Sequence, residues 1–252
     1  MENFFDTLHN KEFIFAPKCY MTCNGGCCRN IYAKYFKFNT SNDVILPMIE
    51  AEYLSLVKAG NNNFKNYSKV TYTLKNKKKI TIYYVKCSLG GICSPHNLRP
   101  LICKLYPYYP KVDFDGNFLG VKPCALFDIF YKSKTKHFCT ITHNAEEDFL
   151  SQFDKNTKML QKEPIMIFIF KSLEYIEEAL KKYTYEYFGK EVYLDDMTEE
   201  EKYEFFGMQE LNSMTLKAYK TNDFIDKIQN LYDILEKKYH SRFNQYFTDY
   251  KN

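Results

Sequence analysis

The sequence predicts an α+β protein, in which a small β-hairpin- and loop-rich cysteine region packs with a C-terminal helical region. Three observations predict it. Residues 70–74 and 80–85 alternate apolar and polar side chains around a lysine-rich turn, the period of a hairpin. Eight of the nine cysteines lie between residues 19 and 124, with glycine and proline turns among them. Beyond residue 144 there is no cysteine, and apolar residues recur at helical spacing. The expected division is therefore a cysteine-cluster region over 1–144 and a helical region over 145–252, packed on it as one integrated domain.

Taken in order, residues 1–16 are amphipathic and read as a short helix with an extended lead into Pro17. Asn24-Gly25-Gly26 is a turn signal. Residues 31–38, Ile-Tyr-Ala-Lys-Tyr-Phe-Lys-Phe, read as a strand. Residues 40–43 supply helix-starting side chains. Pro47 then fits a first helical turn, and Met48, Ala51, Tyr53, Leu54 and Val57 continue the stripe. The hairpin over 70–85 delivers Cys87 at its end. From Cys93 to Cys103 the prolines at 95, 100 and 107 allow only a compact loop or a short helix. Residues 111–121 read as a second hairpin, turning at Asp115-Gly116, and it delivers Cys124.

In the second region, residues 146–160 read as a helix that Pro164 breaks. Residues 165–187 follow as a helix apolar on nearly every face at its start, so it should be buried centrally. Thr198-Glu199-Glu200-Glu201 has the pattern of a capping box. Residues 223–247 read as one long amphipathic helix with Phe224, Ile228, Leu231, Leu235 and Tyr239 on a face.

The chemistry lies in the cysteines. Cys19, Cys23, Cys27 and Cys28 fall within ten residues around the Gly-Gly turn, and Cys87, Cys93, Cys103 and Cys124 answer them. A site that gathers several sulfurs into a small volume needs short spacing and turns without a Cβ clash. Buried structural thiols are the bland alternative, and four in ten residues argue against it. Eight thiolates suit an iron–sulfur cluster or two zinc ions. Extended backbone at Cys27 and Cys28 would point the two side chains apart, which suits neighbouring metals or one polynuclear cluster. Arg99 could offset the thiolate charge and donate hydrogen bonds to sulfur, or it could form an ordinary ion pair. His96 is a further ligand candidate, with local hydrogen bonding the plainer reading. His137, Cys139 and His143 alternate along what reads as a strand and could share a face.

These residues resemble a family. The run Cys19, Cys23, Cys27, Cys28, a middle region, then Cys87, Cys93, Arg99-Pro100, Cys103, Pro107 and Cys124 is similar to the YkgJ-like cysteine-cluster proteins, described as zinc- or iron-chelating domains. The likeness covers roughly residues 15–125. It implies metal binding through all eight cysteines, with Arg99 beside the bound group. A similar cluster occurs in the flagellin lysine N-methylases, which implies a second possibility, protein lysine methylation with S-adenosylmethionine as cofactor. A zinc-binding structural or interaction module is a third. Whether the chain is an enzyme is left open at this level.

Composition sets limits on the rest. Net charge is +4, from 35 basic and 31 acidic residues, without the basic excess of a nucleic-acid binder. The aromatic content of 18%, with no Trp, reads as a core built from Tyr and Phe. The first six residues are not those of a secretory signal, and the longest apolar run, residues 165–170, is far short of the ~20 that span a bilayer. The expectation is a cytoplasmic protein with no membrane span and no nucleic-acid partner, acting on a protein or small-molecule substrate. In a reducing compartment, clustered cysteines more often hold metal than form disulfides. Neither a dinucleotide-binding glycine pattern nor a P-loop is present.

Overall fold

The larger sheet is organised by its middle strand. In the computed structural model, which describes residues 3–14, 21, 24–61, 63–87, 93, 96–144 and 147–249, strands β1 (Val44–Ile49), β2 (Phe64–Thr73) and β3 (Lys79–Cys87) pair antiparallel in the order β1-β3-β2. The alternation read in residues 80–85 belongs to β3, which buries Ile80, Tyr83, Val85 and Cys87. The β2–β3 hairpin is longer than the sequence suggests and ends at Cys87, as expected. Cys87 is opposite Val44 on one side and Phe64 on the other, so both neighbouring strands fix its backbone.

Two short segments differ from expectation. Residues 44–49 are strand, and helix α1 (Glu50–Lys58) begins only after them. Pro47 sits in β1, an edge strand, the place in a sheet where a proline is tolerated. Residues 31–38 form no strand; Ala33–Tyr35 is a 3-10 turn. The aromatic rings there pack into a cluster with Phe127 and Phe206 instead of pairing along an edge. Tertiary burial outweighs the local strand preference.

Helix α2 (Leu101–Leu105) leads into a second hairpin, β4 (Tyr108–Val112) and β5 (Phe118–Pro123). The N–H of Cys124 donates to the Pro107 carbonyl at 2.9 Å and closes the base of this hairpin. Its turn needs Gly116: φ is +69°, and a Cβ there would lie 2.0 Å from the Gln161 carbonyl oxygen.

The helices follow: α3 (Glu147–Gln161), α4 (Pro164–Phe188), α5 (Glu199–Thr215), α6 (Asn222–Tyr239) and α7 (Ser241–Asn244). Pro164 occupies the first turn of α4, and Ile165, Met166, Ile167, Phe168 and Phe170 are all buried. The capping box is formed: the Glu201 N–H donates to Thr198 Oγ1 at 3.2 Å, and the Thr198 N–H to Glu201 Oε2 at 2.8 Å. The long final helix is interrupted. It stops at Tyr239, and His240 takes φ 47°. The break turns Phe243 and Phe247 back onto Phe168 and Tyr232.

The main core joins the two regions. Leu101, Leu105, Tyr109, Val112 and Cys124 share one buried cluster with Ile165, Phe170, Leu231, Tyr232 and Phe243. A second cluster gathers Tyr35, Phe130, Leu180, Phe205 and Phe206; a third, under the sheet, gathers Leu46, Tyr83, Val85, Cys87 and Leu98. No helix among the described residues is long and apolar enough to cross a membrane.

Candidate metal centre

Several different devices place the described cysteines of the predicted set. Cys27 and Cys28 end a 3-10 turn, Gly26–Cys28, entered through Asn24 and Gly25, both with left-handed backbone. Gly26 is required at that point, because a Cβ would meet the Phe138 ring at 2.6 Å. The turn corrects the extended geometry expected for this pair: the two sulfurs approach to 3.6 Å. Cys87 terminates β3, and Cys103 stands in α2. Cys124 is buried in the main core just after β5. Cys19 and Cys23 lie outside the described residues. None of the seven described cysteines is in a disulfide.

The structure draws Cys28, Cys87, Cys93 and Cys103 into one electrostatic neighbourhood. The neighbouring Cys27 thiol holds the Cys28 thiol down to about 7 against the effect of burial, with help from Arg99 and Arg29. Burial pushes Cys93 up to about 11, and the charges of Cys28 and Cys87 add to that while Arg99 opposes it. Cys103 is raised well above the usual thiol range by burial, with Cys28, Cys93 and Cys87 contributing and Arg99 again opposing. Cys124 is also raised by burial, and the negative groups near it are Asp128, Cys103 and Glu177. It thus borders the group through Cys103 alone. Among the described residues no three His, Cys, Asp or Glu side chains stand close enough together to hold a metal ion.

Of the two roles considered for Arg99, the ion pair is formed. Its guanidinium Nη2 pairs with Glu12, and His96 Nδ1 lies 3.4 Å from the other oxygen of that carboxylate. His96 therefore makes a local contact. The Arg99 Nε–H is buried and has no hydrogen-bond partner among the described residues. A buried unpaired donor costs about 1–3 kcal/mol, so such a group marks a place where an acceptor belongs.

Lys104 was not singled out by sequence, yet it holds the scaffold of this region. It is only 3% exposed. Its ammonium donates to the carbonyls of Leu8, His9 and Asn97 at 2.7 Å and of Lys11 at 3.0 Å, so three N–H bonds serve four acceptors. Burial holds it down to about 8. Beside it Glu52, from α1, accepts the Leu101 N–H at 2.7 Å and so satisfies the start of α2. Burial pushes Glu52 up to about 7, against the pull of that bond and of Lys104. A cavity of about 10 Å³ separates these groups, no larger than one water. The signal in the sequence was a lysine among apolar neighbours, Ile102 and Leu105, in a helix too short to present a solvent face.

His137, Cys139 and His143 share no strand. His137 caps the end of the 3-10 turn Lys134–Lys136, Cys139 follows in the link, and His143 lies on the next 3-10 turn, Thr140–Asn144. His137 Nδ1 accepts the Cys139 N–H at 3.0 Å, and His143 Nε2 lies 3.2 Å from the His137 carbonyl oxygen. His137 Nε2 comes within 3.0 Å of Asp128 Oδ1 without the geometry of a hydrogen bond. The Tyr106 hydroxyl donates to the other Asp128 oxygen at 3.1 Å.

The donor chemistry of this region fits a thiolate-held metal group. Soft sulfurs predominate, one of them ionises near neutrality, and a buried guanidinium N–H awaits an acceptor. No family model, curated protein or solved structure matches the chain. The likeness to the YkgJ-like proteins therefore rests on the motif residues themselves.

Proposed function

We propose that this chain binds an iron–sulfur cluster through cysteine thiolates. What supports the reading is that Cys28, Cys87 and Cys93, from separate stretches, all bear electrostatically on Cys103, next to an Arg99 whose buried Nε–H has no described partner, although among the described residues no three of these side chains are within reach of one ion. These four would be ligands after moving closer together around the bound group. Cys19, Cys23, Cys27 and Cys124 would complete or flank the set, as the resemblance implies. Arg99 would donate to a sulfur and offset the accumulated negative charge, the usual way outer groups tune such sites. Lys104 and Glu52 would hold α2, and with it Cys103, in place. A cluster so held would supply one-electron redox chemistry or a rigid crosslink. A reducing, cytoplasmic compartment suits thiols of this kind.

Zinc is the second reading, and one distance favours it. Two thiolates on one tetrahedral zinc at ~2.3 Å stand about 3.8 Å apart. Cys27 and Cys28 sulfurs are 3.6 Å apart.

Anaerobic purification of the full chain, with analysis of iron, acid-labile sulfide and zinc and an absorption spectrum, tests both. Iron and sulfide in equal amounts with broad visible absorption supports the cluster. Stoichiometric zinc in a colourless protein replaces it by the second reading, and a metal-free folded protein removes both. Cys28→Ala and Cys103→Ala should lower metal content, whereas Cys139→Ala should leave it unchanged.

A further inference from the structure

Away from the thiols, a cavity of about 300 Å³ opens between the 31–35 turn, the 131–136 segment and α5. It falls at the lower end of the ~300–1,000 Å³ range of ligand pockets. Its inner wall is a pile of rings. Phe206 is stacked between Tyr32 and Tyr35, with centroids 4.5 and 5.2 Å away and planes inclined by 26° and 10°. Phe127 meets both Tyr32 and Phe206 edge-on, so the wall is anchored in the second hydrophobic cluster. A wall so packed is rigid and preformed.

The polar equipment of the cavity is lopsided. Lys34, Lys136 and Lys202 line it, with one carboxylate, Asp195. The Asp195 oxygens are already engaged by the backbone N–H groups of Lys132, at 3.0 Å, and Ser133, at 2.8 Å. Lys136 reaches only the Asp195 carbonyl, at 3.5 Å. At the rim, the Glu199 carboxylate is gripped by Lys34 at 3.1 Å, Lys202 at 3.0 Å and the Tyr35 hydroxyl at 3.0 Å. These three donors already converge on an oxyanion, one borne by an exposed side chain that solvent can draw away. The Tyr32 and Tyr131 hydroxyls are 3.1 Å apart. One bond between them uses one of their two protons and leaves the other for a ligand.

We propose that this cavity binds a small planar ring bearing a phosphate or carboxylate. The ring would lie against the edge of the Tyr32–Phe206–Tyr35 pile, and the anion would take Lys136 together with the Lys34 and Lys202 donors now held by Glu199. The spare tyrosine hydroxyl proton would fix the ring's orientation. Cationic side chains give the anion its attraction, and aromatic packing gives the ring its own. This site uses no cysteine and stands whether or not the thiols hold metal.

The test is calorimetry and ligand-observed NMR on the full chain. The probes are adenosine monophosphate and 4-hydroxyphenylacetate, with adenosine and inorganic phosphate as probes that each lack half of the chemistry. Saturable binding of at least one aromatic anion is expected, with Kd below ~1 mM, and at least about tenfold weaker binding of adenosine and phosphate. Which of the two anions binds tells phosphate from carboxylate as the natural group. Lys136→Ala with Lys202→Ala should weaken binding by about tenfold or more. Lys237→Ala, on the exposed face of α6, should change nothing. Tyr32→Phe, which keeps the ring pile, should weaken binding by a smaller factor. The proposal is overturned if neither aromatic anion saturates, if phosphate alone binds as tightly, or if the double lysine variant binds like the parent. Should that variant fail to fold, the four titrations of the parent chain decide alone.

Discussion

Where α4 meets α6, the shared core is apolar: Ile165, Ile167 and Phe170 lie in one cluster with Leu231, Tyr232 and Leu235, and the buried Glu177 and Glu210 of the helical region are turned to other partners, Tyr109 with Lys122 and the backbone of residues 37–39. Around α2, which carries Cys103, burial is shared with ions: Glu52 caps the helix, Lys104 ties four carbonyls and Arg99 grips Glu12. The contrast shows how a region of short elements is held. Loops cannot cover one another with apolar surface, so buried charges must satisfy the backbone groups that loops leave unpaired. Such a scaffold is directional and sensitive to single changes.

Several experiments can break or sharpen this contrast. The strongest is truncation. Tyr109, Val112 and Leu105 complete their core only with α4, so a chain ending at residue 144 should fail to fold, as read by circular dichroism. A folded, metal-loaded fragment would instead make the thiol region independent, and ready proteolysis of the full chain between residues 140 and 150 would agree with it. Next comes Phe170→Ala. This ring is 1% exposed and stacks on Tyr109 at 5.7 Å, so its loss should cost about 4 kcal/mol in urea denaturation. Lys104→Met should cost about 3 kcal/mol, because it strands buried carbonyls. Hydrogen exchange should then rise around residues 8–11 and 97 while α4 and α6 stay protected, an outcome apolar packing alone would not give.

Glu52 gives a pH signature. Its carboxyl titrates near 7 in the folded chain and near 4.5 when unfolded. The folded state therefore holds the proton more tightly, and the stability this group contributes is full below about 4.5 and is lost as pH rises through about 7. Glu52→Gln keeps an acceptor for the Leu101 N–H and removes the buried charge. It should raise stability at pH 8 by on the order of 1–2 kcal/mol and have little effect at pH 4, as measured by urea midpoints. A variant less stable than the parent at pH 8 would mean that the attraction of Lys104 outweighs burial. Smallest is Thr198→Ala, which removes the hydroxyl that receives the Glu201 N–H and should cost about 1 kcal/mol by thermal melting.

What the sequence determined by itself was whatever depends on near neighbours in the chain. The period of residues 80–85, the proline at the start of α4, the Thr198–Glu201 box and the Asp115-Gly116 turn each act within a few residues, and each is formed. The thiols' identity and spacing were also legible, since turn chemistry and donor softness are written in the residues. Tertiary structure alone decided the rest. Residues 31–38 alternate like a strand, yet Phe206, 170 residues away, draws their rings into a pile. Pro47 resembles a helix start until β3 makes its segment an edge strand. Residues 223–247 read as one helix, and the pull of Phe168 and Tyr232 on Phe243 and Phe247 ends it at Tyr239. The ionic scaffold was hidden for the same reason: Lys104 meets Leu8 and Glu52 only after folding, and no local pattern records which distant carbonyls a buried ammonium will satisfy.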